Sequence, residues 1–212
     1  MTKLNIKNLI FDYGGVIMDI HPMAYAEEMI RLGCPDIARL HESFMQQQVY
    51  RKFETGIISV DEFRGLVRAG LPNHATDSQI DHAWNLILGE IPLHRIEFLR
   101  SLQPKYRIFL LSNTNPVHYE FYQDYARKTF GLPSLDSLFE KAYYSFKIGL
   151  YKPDHDIFHF VLKDCALDPA ETAFIDDMAE NVEAAKACGL QGIHIAGGSD
   201  VVEVITRITN PK

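Results

Sequence analysis

Cysteine is scarce in this chain: three in 212 residues, Cys34, Cys165 and Cys188, an odd number, widely spaced and without a Cys-x-x-Cys pair. Neither a disulfide framework nor a thiolate zinc site is expected, and the three read as small buried hydrophobes in a reducing compartment. Positive charge is short as well, with 21 Lys and Arg against 28 Asp and Glu, a net charge of −7 and no basic run. That balance argues against the electropositive footprint by which proteins hold nucleic acid. No apolar stretch approaches the about 18 residues of a membrane span, and Met1-Thr2-Lys3-Leu4-Asn5-Ile6-Lys7 has no signal-peptide core. The expectation is a cytoplasmic protein with neither membrane nor nucleic-acid partners. The nine histidines are scattered and give little support for a histidine-rich metal site. Internal repeats and low-complexity segments are absent too.

What the chain does have is apolar content, 47%, in a length suited to one large domain with an insertion. The most informative segment is Asn8-Leu9-Ile10-Phe11-Asp12-Tyr13-Gly14-Gly15-Val16. An apolar run ending in an acid and two glycines reads as a central parallel strand that delivers a carboxylate into a tight loop, where α/β proteins place ligand sites. Strand signals then vanish until about residue 107. Between them, Ser59-Val60-Asp61-Glu62 and Thr76-Asp77-Ser78-Gln79 match the capping-box pattern, so helices begin near 60 and 77. Pro22 to Arg31 and Asp36 to Phe53 carry apolar residues at helical spacing, with Gly33 and Gly56 as stops. Four helices are expected there as a small bundle.

From Lys105 onward, strand and helix alternate, the pattern of a doubly wound parallel sheet. Strands are expected at Arg107 to Leu111, Ala142 to Ser145, Thr172 to Ile175 and Gly192 to Ile195, with helices starting near Pro116, Pro153, Ala170, Met178 and Asp200. Asn115-Pro116 and Asp168-Pro169 mark two junctions with a capping side chain before a first-turn proline.

Three later strand ends carry polar residues that such a sheet gathers into one crevice: Ser112-Asn113, Lys152 and Asp176-Asp177. Ser112 and Asn113 precede a helix N-terminus, whose free N–H groups favour an anion. Lys152 brings a positive charge to a second helix start, and Asp176 with Asp177 suits Mg²⁺, a hard oxygen-seeking ion. Each alone has a plainer reading, since strand-end acids and Ser-Asn pairs cap helices and lone lysines are solvated. Two adjacent acids after a buried strand repel unless neutralised, and the joint occurrence points to phosphoryl transfer.

These segments resemble the haloacid dehalogenase superfamily of hydrolases over nearly the whole chain. Phe11-Asp12-Tyr13-Gly14-Gly15-Val16 is similar to the nucleophile loop, Leu111-Ser112-Asn113 to the second motif, and Tyr151-Lys152-Pro153-Asp154 and Phe174-Ile175-Asp176-Asp177 to the third and fourth. Asn181-Val182-Glu183-Ala184-Ala185 with Gly189, and Phe53-Glu54-Thr55-Gly56-Ile57-Ile58-Ser59 within the insertion, also fit. The resemblance implies an α/β, Rossmann-like core at residues 1–16 and 96–212, with residues 17–95 as an inserted helical cap. It implies Asp12 as a nucleophile that forms an aspartyl-phosphate, with Mg²⁺ held by Asp12, the Gly14 backbone carbonyl and Asp177. Asp176 and Asn181 would act as outer or water-mediated partners, and Ser112, Asn113 and Lys152 would bind the phosphoryl group. The implied substrate is a small phosphorylated metabolite such as a sugar phosphate.

Gly14 departs from the family pattern. Most phosphatases of the family place a second Asp there, whose side chain protonates the leaving group; glycine keeps the carbonyl and loses the acid, a loss of ~10²- to 10⁴-fold. Asp19, His21 or a bound water are the expected substitutes. Two other readings follow from Gly14. A 2-haloacid dehalogenase uses the same Asp without metal and lacks the second Asp, though such a site has no use for the Asp176-Asp177 pair. A weakened, non-catalytic protein would bind a phosphorylated ligand without turnover.

Overall fold

The computed structural model describes residues 5–72 and 74–209. A sheet of five parallel strands has the order β3-β2-β1-β4-β5, with β1 Asn8–Phe11, β2 Arg107–Ser112, β3 Lys141–Tyr144, β4 Thr172–Asp176 and β5 Gln191–His194. Successive side chains of a strand point to opposite faces, and both faces here are apolar, which is why the central strands read as unbroken hydrophobic runs. Leu9, Phe11, Ile108, Leu110, Ala173 and Ile175 bury on one face. Ile10, Phe109, Leu111 and Phe174 bury on the other. Register sets Phe11 beside Leu110 on one side and Ile175 on the other, so β1, β2 and β4 end at one level.

Among the described residues the insertion holds five helices: α1 Pro22–Arg31, α2 Ile37–Gln46, α3 Val49–Glu54, α4 Val60–Ala69 and α5 Asp77–Asn85. Both capping boxes form, Ser59 with Glu62 and Thr76 with Gln79. The helix expected from Asp36 to Phe53 is broken in two at Gln48, whose φ is +55°. The break re-phases Val49 and Phe53 so that they join Phe44 in the core of the insertion. Spacing alone could not show this, because Gln46-Gln47-Gln48 offers no apolar residue to fix a phase. That core is aromatic, with Phe53 stacked on Phe63 at 4.1 Å between ring centroids and Trp84 against Phe63 at 5.0 Å.

Helix α6, Leu93–Leu102, spans the expected boundary at residues 95 and 96 and buries Ile96, Leu99 and Leu102 against the sheet. Then come α7 Pro116–Phe130, the short α8 Ser145–Ile148, α9 His155–Asp164, α10 Ala179–Ala187 and α11 Val201–Thr209. Three expectations shift. Ser145 opens α8 instead of ending β3, and the helix near Pro153 starts two residues later. The helix near Ala170 is a single 3-10 turn, Pro169–Glu171, capped by Asp168. Among the described residues, no helix is long and apolar enough to cross a membrane.

Candidate active site

The chain leaves β1 toward β2 and β3 on one side and crosses back from β3 to β4 on the other, so the loops at the carboxyl ends of β1 and β4 diverge and open a crevice. Asp12 follows β1 with its N–H donating to the Ile175 carbonyl at 2.8 Å, which seats it level with Asp176 at the end of β4. Ser112 ends β2. Lys152 arrives from the loop after α8, and its Nζ donates to Asp12 Oδ1 and to Asp176 Oδ2, both at 2.7 Å.

These groups are deeply buried: Lys152 shows 1% of its side chain and Asp176 none. Asp176 is saturated. Its Oδ1 accepts the Met178 N–H at 2.8 Å, and Asn181 Nδ2 donates to both oxygens at 3.1 Å. Asp177 stands differently, half-buried, with no hydrogen bond to its carboxylate from another residue among the described residues. It fills space that a side chain at position 15 would take: a Cβ on Gly15 would overlap Asp177 Oδ2. One carboxylate oxygen from each of Asp12, Asp176 and Asp177 lies within 4.8 Å of the others.

The electrostatics of this group are unbalanced. Burial pushes the Asp12 carboxyl up, Asp176 adds to the rise and Lys152 opposes it. Asp177 is raised by burial and by Asp176. For Lys152, burial works against the ammonium, but Asp12 and Asp176 outweigh it and hold the group above its ordinary value. Three carboxylates face one ammonium, a deficit that a hard divalent cation on oxygen ligands corrects.

Ser112 is buried, and among the described residues its Oγ makes only a 3.5 Å contact with the Asn113 carbonyl, leaving it able to donate to an anion. Asn113 does something other than expected. Its side-chain amide holds the backbone of Lys152, donating to the carbonyl at 2.9 Å and accepting the N–H at 3.0 Å. It therefore positions the lysine, with both polar groups of its side chain already engaged. Of the groups expected to replace an acid at position 14, Asp19 is paired with Arg95 at 2.8 Å and His21 is exposed with its ring against the Gly89 backbone. His155 and His159, four apart on α9, are both exposed and join no acidic cluster among the described residues.

Two residues not singled out in the sequence join the insertion to the sheet. Glu54, the last residue of α3, accepts the Tyr151 hydroxyl at 3.0 Å, beside Lys152. Nearby Arg51 pairs with Asp154 and lies over the Tyr151 ring at 5.2 Å. Glu54 lies in the Phe53-to-Ser59 segment that fits the family, but helical spacing does not say which face meets the crevice. The second is His118, at the third position of α7 after the Asn115 cap, a spacing that does bring the two side chains together. Asn115 Nδ2 donates to His118 Nδ1 at 3.1 Å, and His118 Nε2 donates to the Trp84 carbonyl of α5 at 3.1 Å. Burial depresses this imidazole to about 4, against a smaller opposing effect of the Trp84 carbonyl.

A model of haloacid dehalogenase-like hydrolases matches residues 6–189. The chain belongs to this family. The hydrolase is 32% identical to a D-ribitol-5-phosphate phosphatase of Bacteroides thetaiotaomicron, over 97% of this chain and 99% of that one. It superposes with a TM-score of 0.84 on a family enzyme of the same organism solved with magnesium and inorganic phosphate, 34% identical and covering 92% of this chain and 96% of that chain. An L-2-haloacid dehalogenase of Xanthobacter autotrophicus shares the fold, with a TM-score of 0.62 at 18% identity over 97% of this chain and 84% of that one.

Proposed function

We propose that this hydrolase is a Mg²⁺-dependent phosphatase of small phosphomonoesters, a phosphorylated polyol or sugar among them, acting through an aspartyl-phosphate on Asp12. The observation that carries the reading is the charge deficit of the buried cluster, in which Asp12, Asp176 and Asp177 share one ammonium. Asp12, Asp177 and the Gly14 carbonyl are the groups to hold Mg²⁺, with Asp176 acting indirectly because its oxygens are already taken. Bound there, the ion supplies positive charge against the phosphoryl oxygens.

Asp12 attacks phosphorus, and the alcohol leaves. Lys152 faces the nucleophile and draws off charge as it builds on the transferring group, while Ser112 Oγ donates to a phosphoryl oxygen. Asp176 and Asn113 fix the lysine from its two ends, ammonium and backbone. Of the expected 17–95 insertion, α1 to α5 act as the cap over the core, while its two ends, Ile17, Met18, Ile91 and α6, pack with the sheet; the aromatic core of α1 to α5 supports that division. The likeness to a ribitol-phosphate phosphatase supports the substrate class.

The test is phosphate release from a panel of sugar and polyol phosphates, D-ribitol 5-phosphate included, with Mg²⁺ or with a chelator. Turnover that needs Mg²⁺ and is lost in Asp12→Asn is expected. Halide release from a 2-haloacid that survives the chelator, with no phosphate release, would overturn the reading.

A further inference from the structure

Gly14 leaves the nucleophile loop without a carboxyl two residues after Asp12, and Asp19 is paired with Arg95, which also holds Asp200 at 3.2 Å. Glu54 is placed differently. Its Oε2 accepts from the hydroxyl of Tyr151, the chain neighbour of Lys152, whose Nζ is 2.7 Å from Asp12 Oδ1. The end of α3 is fixed on both sides of Glu54. Arg51 reaches Asp154 and Tyr151, and Gly56, at φ +71°, packs so closely that a Cβ would stand 2.8 Å from the Phe146 carbonyl oxygen.

On its other side Glu54 lines a cavity of about 410 Å³ together with Tyr25, His41, Tyr50 and Trp84. The lining is largely apolar, built on the rings of Tyr25, Tyr50 and Trp84, and Glu54 is the carboxylate at its edge. Glu54 therefore borders both the Lys152 loop and a largely apolar cavity.

We propose that Glu54 is the general acid of this hydrolase, taking the place of the carboxyl that Gly14 lacks, and that the cavity beside it receives the alcohol leaving group. This rests on the phosphatase reading. As the bond from phosphorus to the ester oxygen breaks and the bond to Asp12 forms, the Glu54 proton passes to the departing oxygen and leaves an alcohol. In the second step the Glu54 carboxylate takes a proton from the water that attacks phosphorus, and the bond to Asp12 breaks, restoring both carboxyl groups.

The groups facing Glu54 are Tyr151, Lys152, Arg51 and Asp154 along the core loop and α3, with Tyr50 and His41 in the cavity. Burial pushes its carboxyl up to about 7, while the Tyr151 hydrogen bond and the Lys152 charge pull the other way. Acid and base forms then coexist near neutral pH, as a group that gives and later takes a proton requires.

The experiment compares kcat/KM for the best alkyl phosphate of the panel and for 4-nitrophenyl phosphate, whose leaving group needs no proton. It uses the wild type, Glu54→Gln and the double variant Glu54→Gln/Gly14→Asp. Glutamine is isosteric and still accepts the Tyr151 hydroxyl, and a Cβ at position 14 meets only Ile20 Cγ2 at 3.4 Å. Expected is a ~10²- to 10⁴-fold loss on the alkyl ester in Glu54→Gln. The nitrophenyl ester should be far less affected, the basic limb of the alkyl pH profile should disappear, and Asp at position 14 should recover alkyl turnover. Equal losses on both esters, or wild-type turnover of the nitrophenyl ester alone, overturn the assignment and leave the phosphatase reading standing. Absence of phosphate release from either ester by the wild type overturns both.

Discussion

Asn113 holds Lys152 by both polar groups of its backbone, its Nδ2 donating to the carbonyl at 2.9 Å and its Oδ1 accepting the N–H at 3.0 Å. The ammonium at the other end of the same residue spans Asp12 and Asp176. A loop lysine is thus held at both ends, and the entropy of a long side chain has already been given up before substrate arrives.

Asn113→Ala should therefore lower kcat/KM by ~10- to 100-fold, the usual effect of removing a residue that orients a ligating group. Binding of Mg²⁺, followed by calorimetry, should change little, because Asn113 touches none of the three carboxylates. A loss of metal affinity as large as the loss of rate would contradict a role confined to Lys152.

Adjacent glycines should respond in opposite ways. Gly15 has φ +73°, and a Cβ there would overlap Asp177 Oδ2, so Gly15→Ala should displace Asp177 and weaken Mg²⁺ binding. The left-handed backbone adds ~1–2 kcal/mol of strain. Gly14 lies outside the left-handed region and faces only Ile20 Cγ2, so Gly14→Ala should keep its carbonyl in place and retain metal affinity. Thermal melts with and without Mg²⁺ separate the two variants.

Magnesium should stabilise the hydrolase more as pH rises. Burial raises Asp12 to about 7 and also raises Asp177, so the metal-free native state holds protons that the unfolded chain releases. Their contribution is fully present below the ordinary carboxylate range and is lost as pH climbs through the raised values. Mg²⁺ binds the ionised carboxylates and offsets that loss, by about 2.7 kcal/mol when present at 100 times its Kd. The Mg²⁺-induced rise in Tm should be larger at about pH 8 than at about pH 5.5. A rise independent of pH would show that these carboxylates are not the ligands.

His118 works in the opposite direction. Its imidazole is depressed to about 4 and serves neutral, accepting from Asn115 and donating to Trp84. Stability from this group is present above the unfolded value near 6.5 and is lost as pH falls toward the folded one, on the order of 3 kcal/mol in full. His118→Gln should flatten the acid side of the stability curve relative to wild type, as read by denaturant unfolding across that range. An unchanged acid limb would place the sensitivity elsewhere.

Local chemistry made much of this molecule legible. Capping boxes at Ser59 and Thr76 satisfy their own N–H groups within four residues, so no distant partner was needed to place them. Central strands follow from apolar runs, because burial on both faces leaves no alternation to misread. The break at Gln48, the short α8 and the placement of α6 on the sheet were not legible, since each answers to packing against residues far away in the chain. Asn113 shows the same limit in the site. Its residue type and position suggested an anion ligand, and only the fold brought the Lys152 backbone within reach of its amide.

By itself, the sequence determined the strand-end acids, the family and the absence of a second carboxyl at Gly14, because these depend on residue identity and order along the chain. Tertiary structure alone decided that Asp176 is saturated while the Asp177 carboxylate takes no hydrogen bond from another residue among the described residues, and that Glu54 meets Tyr151 from across the insertion. Those partners are 97 positions apart for Glu54 and Tyr151 and 140 for Asp12 and Lys152, and side-chain periodicity carries no information over such separations.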